Sequence, residues 1–158
     1  MQAQFDRKIR DRLVLHIKGG EAFAPIDTLI DQISFTQTGI VPDGLPYSFY
    51  QQVYHIRFAQ YDILEYCRNE EYKVPGWPDD YWPNQPVPED EREWEELVKK
   101  YLDERNEFCN LILDPSNDLL EPFASDLGHN LLREAQLVIE HTSYHTGQLH
   151  IIYRLLNK

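Results

Sequence analysis

The stretch from Asn130 to Leu156, NLLREAQLVIEHTSYHTGQLHIIYRLL, contains no proline, and its one glycine, Gly147, lies deep inside it. About 27 residues can therefore run as one uninterrupted α-helix, and the rest of the chain must supply surfaces for it to pack against. A spacing of three and four picks out Leu131, Glu134, Val138, His141, His145, Gln148, Ile152 and Leu155. Residues in such a row share one face and point into a core. This row is apolar at both ends and polar in the middle, so two histidines one turn apart are carried inside. Buried imidazoles are costly unless something satisfies them, and a metal ion does so well.

The 158 residues are read as a single domain spanning 1–158, large enough to bury a core without disulfides or metal staples. Phe5 to Ile17 reads as a short amphipathic helix with Ile9, Leu13 and Ile17 aligned, ended or bent by Gly19-Gly20. A second helical stretch, Glu21 to Ser34, presents Phe23, Ile26, Ile30 and Ile33, with Pro25 in its first turn. Val41-Pro42-Asp43-Gly44 has a type I turn composition. Ser48 opens a long helix with the capping-box partner Gln51; it runs to about Arg68 and carries Val53, Ile56, Ile63, Leu64 and Cys67 on its apolar side. His55 lies beside that side, on the row Gln52, His55, Ala59, Asp62, Tyr66. Glu89 to Leu113 returns to helical spacing, with Trp94, Leu97, Tyr101, Phe108 and Leu111 on a buried side and an acidic solvated face. Asp114-Pro115 stops it, a loop through Pro122 and Gly128 follows, and Asn130 is placed to cap the last helix. The whole predicts an all-α four-helix bundle with a short extra N-terminal helix.

Between the helix that Ser48 opens and the one that begins at Glu89, NEEYKVPGWPDDYWPNQPVP holds five prolines in 20 residues, which forbids a continuous helix. Trp77, Tyr81 and Trp82 make this loop sticky enough to dock on the bundle or on another subunit. An ordered strap without a chemical role is the simpler reading, and a lid over a site is the other.

Charge and cysteine usage narrow the function classes. A net charge of −12 repels a polyanion, so nucleic acid and anionic membrane surfaces are disfavoured as partners. Cys67 and Cys109 fall in helical segments and are read as free thiols in a reducing compartment. The N-terminus, MQAQFDRKIRDRL, is charged throughout and lacks a signal-peptide core, and no apolar run reaches membrane-spanning length. A cytoplasmic protein is expected.

His141-x-x-x-His145 puts two imidazoles at the spacing at which both reach one ion. The pair alone also recurs by chance. Thr142 stands where a zincin would carry its glutamate, and no pair of Glu-x-x-His motifs marks a di-iron site. His55, near the middle of another long helix, can stand opposite the pair. Three neutral imidazoles with one side open match a catalytic-type site. Gly147 would let a neighbouring element approach, and Gln148 could hydrogen-bond a ligand or bound water. His16, His129 and His150 lie off the shared face or in a loop and are read as surface or locally satisfied residues. No general base is evident: Glu134 and Asp62 each sit two turns from a proposed ligand.

At these residues the chain resembles the DinB-like superfamily of four-helix bundles, which includes the YfiT-type metal-dependent hydrolases and thiol-dependent transferases. The resemblance is carried by His55 and by His141-Thr-Ser-Tyr-His145-Thr-Gly147-Gln148-Leu149, with WPDDYWP and LLREAQLVIEHTSYHTGQL like one branch of it. It implies an up-down-down-up bundle and a divalent metal, commonly nickel or zinc, held by His55, His141 and His145. Members often carry Glu immediately before the first of these histidines, where Tyr54 stands here. The resulting expectation is a metal-dependent hydrolase or thiol-dependent transferase acting on a small molecule. The alternative is a non-catalytic bundle that associates through its Trp-rich loop or an open helix face, with a structural metal or none. An isologous homodimer is expected as the assembly. A metal-free histidine cluster is the least economical arrangement, since six ring nitrogens would need protein partners.

Overall fold

The computed structural model describes residues 2–124 and 128–158. Its helices are α1 (Gln2–Lys18), α2 (Ile26–Gln32), α3 (Phe35–Thr38), α4 (Phe49–Arg68), α5 (Glu91–Leu113) and α6 (Leu131–Leu156), with a 3-10 turn at Asp79–Tyr81. Among the described residues no β-strand forms beyond a single bridge between Pro122 and Asn130. The loop leading into α6 passes through residues 125–127, which lie outside the described residues.

Local chemistry sets the ends of the long helices. The Ser48 hydroxyl accepts from the Gln51 amide while the Gln51 side chain accepts from the Ser48 amide, the reciprocal capping box that the spacing predicts. Asp90 caps α5 and Asn130 caps α6 in the same way, each accepting from the amide three residues on. α1 ends at Lys18 because Gly19 and Gly20 both take positive φ, 77° and 94°. Ser48 is fully buried and also donates to the Pro86 carbonyl, tying the proline-rich strap to the start of α4. Ser48→Ala is expected to cost about 1 kcal/mol, lowering the melting temperature by about 2–4 °C in a calorimetric scan.

The sense of each helix follows from its contacts. Tyr50 bonds Glu93 and Arg57 bonds Glu104, and Arg68 reaches Glu107 further along, so α4 and α5 run parallel. Gln52 and His55 meet His145 and His141 respectively, so α6 runs against α4. Arg10 in α1 reaches the Ile112 carbonyl at the far end of α5, while Asp27, after α1, pairs with Arg105. α1 is therefore antiparallel to α5. The order is up-down-down-up, with α1 and α4 each packed against both α5 and α6.

Two apolar clusters fill the bundle. One gathers Ile26, Leu29, Phe49, Val53, Ile56, Tyr101, Leu149 and Ile152, and the other Ile17, Leu64, Phe108, Ile112, Leu131 and Val138. Along α6 the polar interval between Val138 and Leu149 separates them, and that interval carries both histidines of the pair.

Several local expectations need correction. Pro25 lies outside the helix rather than in its first turn: its extended ψ of 153° places it as the N-cap, α2 starts at Ile26, and Phe23 is left exposed. The turn after α3 is shifted by one residue. Leu45 N–H donates to the Pro42 carbonyl and Gly44 takes φ +80° at the third position, which is the type II requirement. Gly147 admits no close neighbour, because it faces outward and a Cβ there would meet nothing within 4 Å. Ile112, not Leu111, is the fully buried residue near the end of α5.

Candidate metal centre

α4 and α6 bring His55, His141 and His145 together. His55 is 1% exposed and His145 7%, with His141 partly buried. One nitrogen from each lies within 4.8 Å of the others, a group that could hold one metal ion. The closest approach is His141 Nε2 to His55 Nε2, at 3.0 Å.

The partners on the far side of the rings decide the tautomers. His55 Nδ1 lies 3.1 Å from the Tyr81 carbonyl, which only accepts, so Nδ1 carries the proton and Nε2 is a bare lone pair. His145 Nδ1 lies 2.8 Å from Oε1 of both Gln52 and Gln148, so it also donates and leaves Nε2 bare. Without a cation, the contact between His55 and His141 requires His141 to hold its proton on Nε2 and donate it. Two rings thus present unprotonated nitrogens inward, each with its other N–H fixed by an oxygen, which is the usual second-layer pattern of metal-ligating histidines. The donor set fits a divalent ion that takes imidazole nitrogen, zinc and nickel among them.

Electrostatics keep the rings neutral. Burial lowers the pKa of His55 to about 4, against an opposing contribution from the Tyr81 carbonyl. Burial lowers that of His141 to about 3, helped by His145 and His55, and burial also lowers that of His145. Neutral imidazole is the form a metal requires.

The strap completes the enclosure. Trp82 stacks on His55 with ring centroids 4.0 Å apart and planes 3° from parallel, and Tyr47 stacks on the other side of Trp82 at 4.2 Å. The Tyr81 hydroxyl donates to Asp62 at 2.6 Å, which anchors the segment whose carbonyl orients His55. Trp77 (68% exposed) and Tyr144 (66% exposed) leave aromatic rings at the rim, 6.1 Å from His55 and 4.9 Å from His145. The strap is therefore ordered and docked on the bundle beside the histidines.

Gln148 meets His145, so its amide oxygen is engaged in holding a ring. Tyr54 stacks along α4 on Phe58. Neither acid considered as a base touches the cluster through a described hydrogen bond. Glu134 is held by Arg133 at 2.7 Å and lies 3.4 Å from His129, and Asp62 takes the Tyr81 hydroxyl. His129 also meets the Tyr66 hydroxyl, at 3.4 Å, while His16 is exposed and His150 partly buried. Three supporting features escaped the sequence reading: Gln52, Trp82 as a stacking partner, and the Tyr81 carbonyl. Only Gln52 left a signal, one turn before His55 on the same row.

An all-helical bundle with three inward imidazoles from two helices defines a class of histidine-centred bundles. The chain belongs to the DinB superfamily, whose family profile matches residues 22–149 and so takes in all three histidines and Gln148. Searches of curated proteins and of solved structures gave no significant match. No described helix is long and apolar enough to cross a membrane.

Proposed function

We propose that His55, His141 and His145 hold a divalent metal ion, nickel or zinc, and that the protein is a metal-dependent hydrolase or a thiol-dependent transferase of a small molecule. The observation that carries this reading is the pair of bare Nε2 lone pairs on His55 and His145, each fixed by an oxygen acceptor behind its ring. An ion bound there supplies Lewis acidity, lowering the pKa of a water or thiol and polarising a carbonyl. The chain's own residues hold and shield the centre. Tyr81 and the two glutamines orient the rings, and Trp82 covers one face of His55 and keeps water from it. Three protein ligands leave coordination positions for substrate, which separates this arrangement from a closed structural site.

The test is metal analysis of protein purified without a histidine tag, followed by nickel and zinc titration. Close to one equivalent is the expected content. Metal at ten times its dissociation constant should stabilise the fold by about 1.4 kcal/mol, raising the melting temperature by about 3–6 °C. Less than about half an equivalent, with no thermal shift on adding either metal, would favour the non-catalytic association reading instead.

A further inference from the structure

Gln52 and Gln148 both turn their amide oxygens to His145 Nδ1. That orientation directs both amide nitrogens elsewhere, and neither donates to a protein acceptor among the described residues. Gln52 is 1% exposed, and its amide nitrogen is not a buried orphan but lies at the small accessible surface the residue keeps, free to donate to a molecule that reaches it. Both glutamines line one cavity of about 100 Å³, whose walls include Leu45, Tyr47, Ile151 and Ile152. Tyr47 also stacks on Trp82, which stacks on His55, so the cavity adjoins the supports of two of the three histidines.

The lining states what would be recognised. Two neutral amides offer N–H donors, the remaining walls are apolar, and no lysine or arginine lines the cavity. A carboxylate would be stripped of water there without an opposing charge, whereas a neutral carbonyl oxygen needs only the donors. On the scale at which a cavity of roughly 150 Å³ takes a six-carbon ring, this one takes about four or five non-hydrogen atoms. We propose that the cavity is the subsite for a short, uncharged acyl group of the substrate, its carbonyl oxygen accepting from the amides of Gln52 and Gln148. The assignment of this ligand as substrate rests on the metal-centre reading above.

Isobutyramide is the probe, titrated against nickel-treated wild-type protein and followed by saturation-transfer NMR, with isobutyrate as the charged control. Isobutyramide should saturate with a dissociation constant on the order of 1–10 mM, and isobutyrate should bind at least about tenfold more weakly. Gln148→Glu keeps an oxygen facing His145 Nδ1 but removes the donating nitrogen. It should weaken isobutyramide about tenfold while the far-ultraviolet circular dichroism stays that of wild type. Ile151→Trp, on a wall residue that is 51% exposed, should fill the mouth and abolish binding while the protein stays folded. Absence of saturable binding to the wild type, or equal binding by wild type and both variants, would overturn the proposal. If wild-type protein binds isobutyramide, and Gln148→Glu weakens it, but no nickel or zinc is taken up, the subsite stands and the metal reading falls. Nickel uptake without isobutyramide binding would instead leave the metal centre standing and remove the subsite.

Discussion

Replacing His145 with alanine is expected to raise the metal dissociation constant at least about a hundredfold, because loss of a ligand exceeds the 10- to 100-fold typical of losing a ligand's support. His145 is the ring held by two acceptors, so its removal also releases Gln52 and Gln148 from their shared partner. The helix should survive, since alanine is a strong helix former and the apolar clusters on either side of the polar interval do not depend on the imidazole. The check is nickel titration alongside far-ultraviolet circular dichroism, with His16→Ala as an exposed control. A folded His145→Ala protein that binds nickel as tightly as wild type would sink the assignment.

The metal-free protein should lose stability as the solution is acidified from pH 6.5 towards pH 4. Unfolded histidine titrates near 6.5, whereas burial lowers His55 to about 4 and His141 to about 3. Between those values the unfolded chain takes up protons that the folded chain refuses. The contribution is therefore fully present above pH 6.5 and is lost as pH falls through the folded values. Each histidine adds a slope of at most about 1.4 kcal/mol per pH unit, and His55 and His141 together are expected to lose about 5–6 kcal/mol over this window. Urea melts in the presence of chelator would measure it, with His141→Gln flattening the profile. A stability that stays level from pH 6.5 to 4.5 would contradict neutral buried rings.

Much of this could be read from residue order alone. The i, i+4 histidine pair on an otherwise apolar row pointed inward, and His55 stood at a depth that could face it. Ser48 and Asn130 announced the starts of α4 and α6 through capping chemistry. What stayed hidden was carried by groups without a side-chain signature. The oxygen that sets the His55 tautomer is a backbone carbonyl, and nothing in the identity of Tyr81 marks it. Arg10 and Arg105 are both buried, and no spacing in the sequence marks them for it. Arg10 donates to the carbonyls of Ile112, Asp114 and Asn117, and Arg105 pairs with Asp27 across the fold. Such long-range satisfaction has no local pattern. The turn at Pro42 to Leu45 slipped by one position because Pro and Gly suit either of two registers.

Two neighbouring rods that point the same way cannot be joined by a hairpin. Since α4 and α5 are such a pair, the chain leaving Arg68 must travel back about 30 Å, the length of a 20-residue helix, before α5 can begin. Residues 69–90 make that return journey, and Trp82 and the Tyr81 carbonyl are deposited on His55 along the way. The cover over the histidines is thus a by-product of helix direction, fastened at both ends by the fold itself. Reversing α5 would let a tight bend replace the return and leave His55 without its roof.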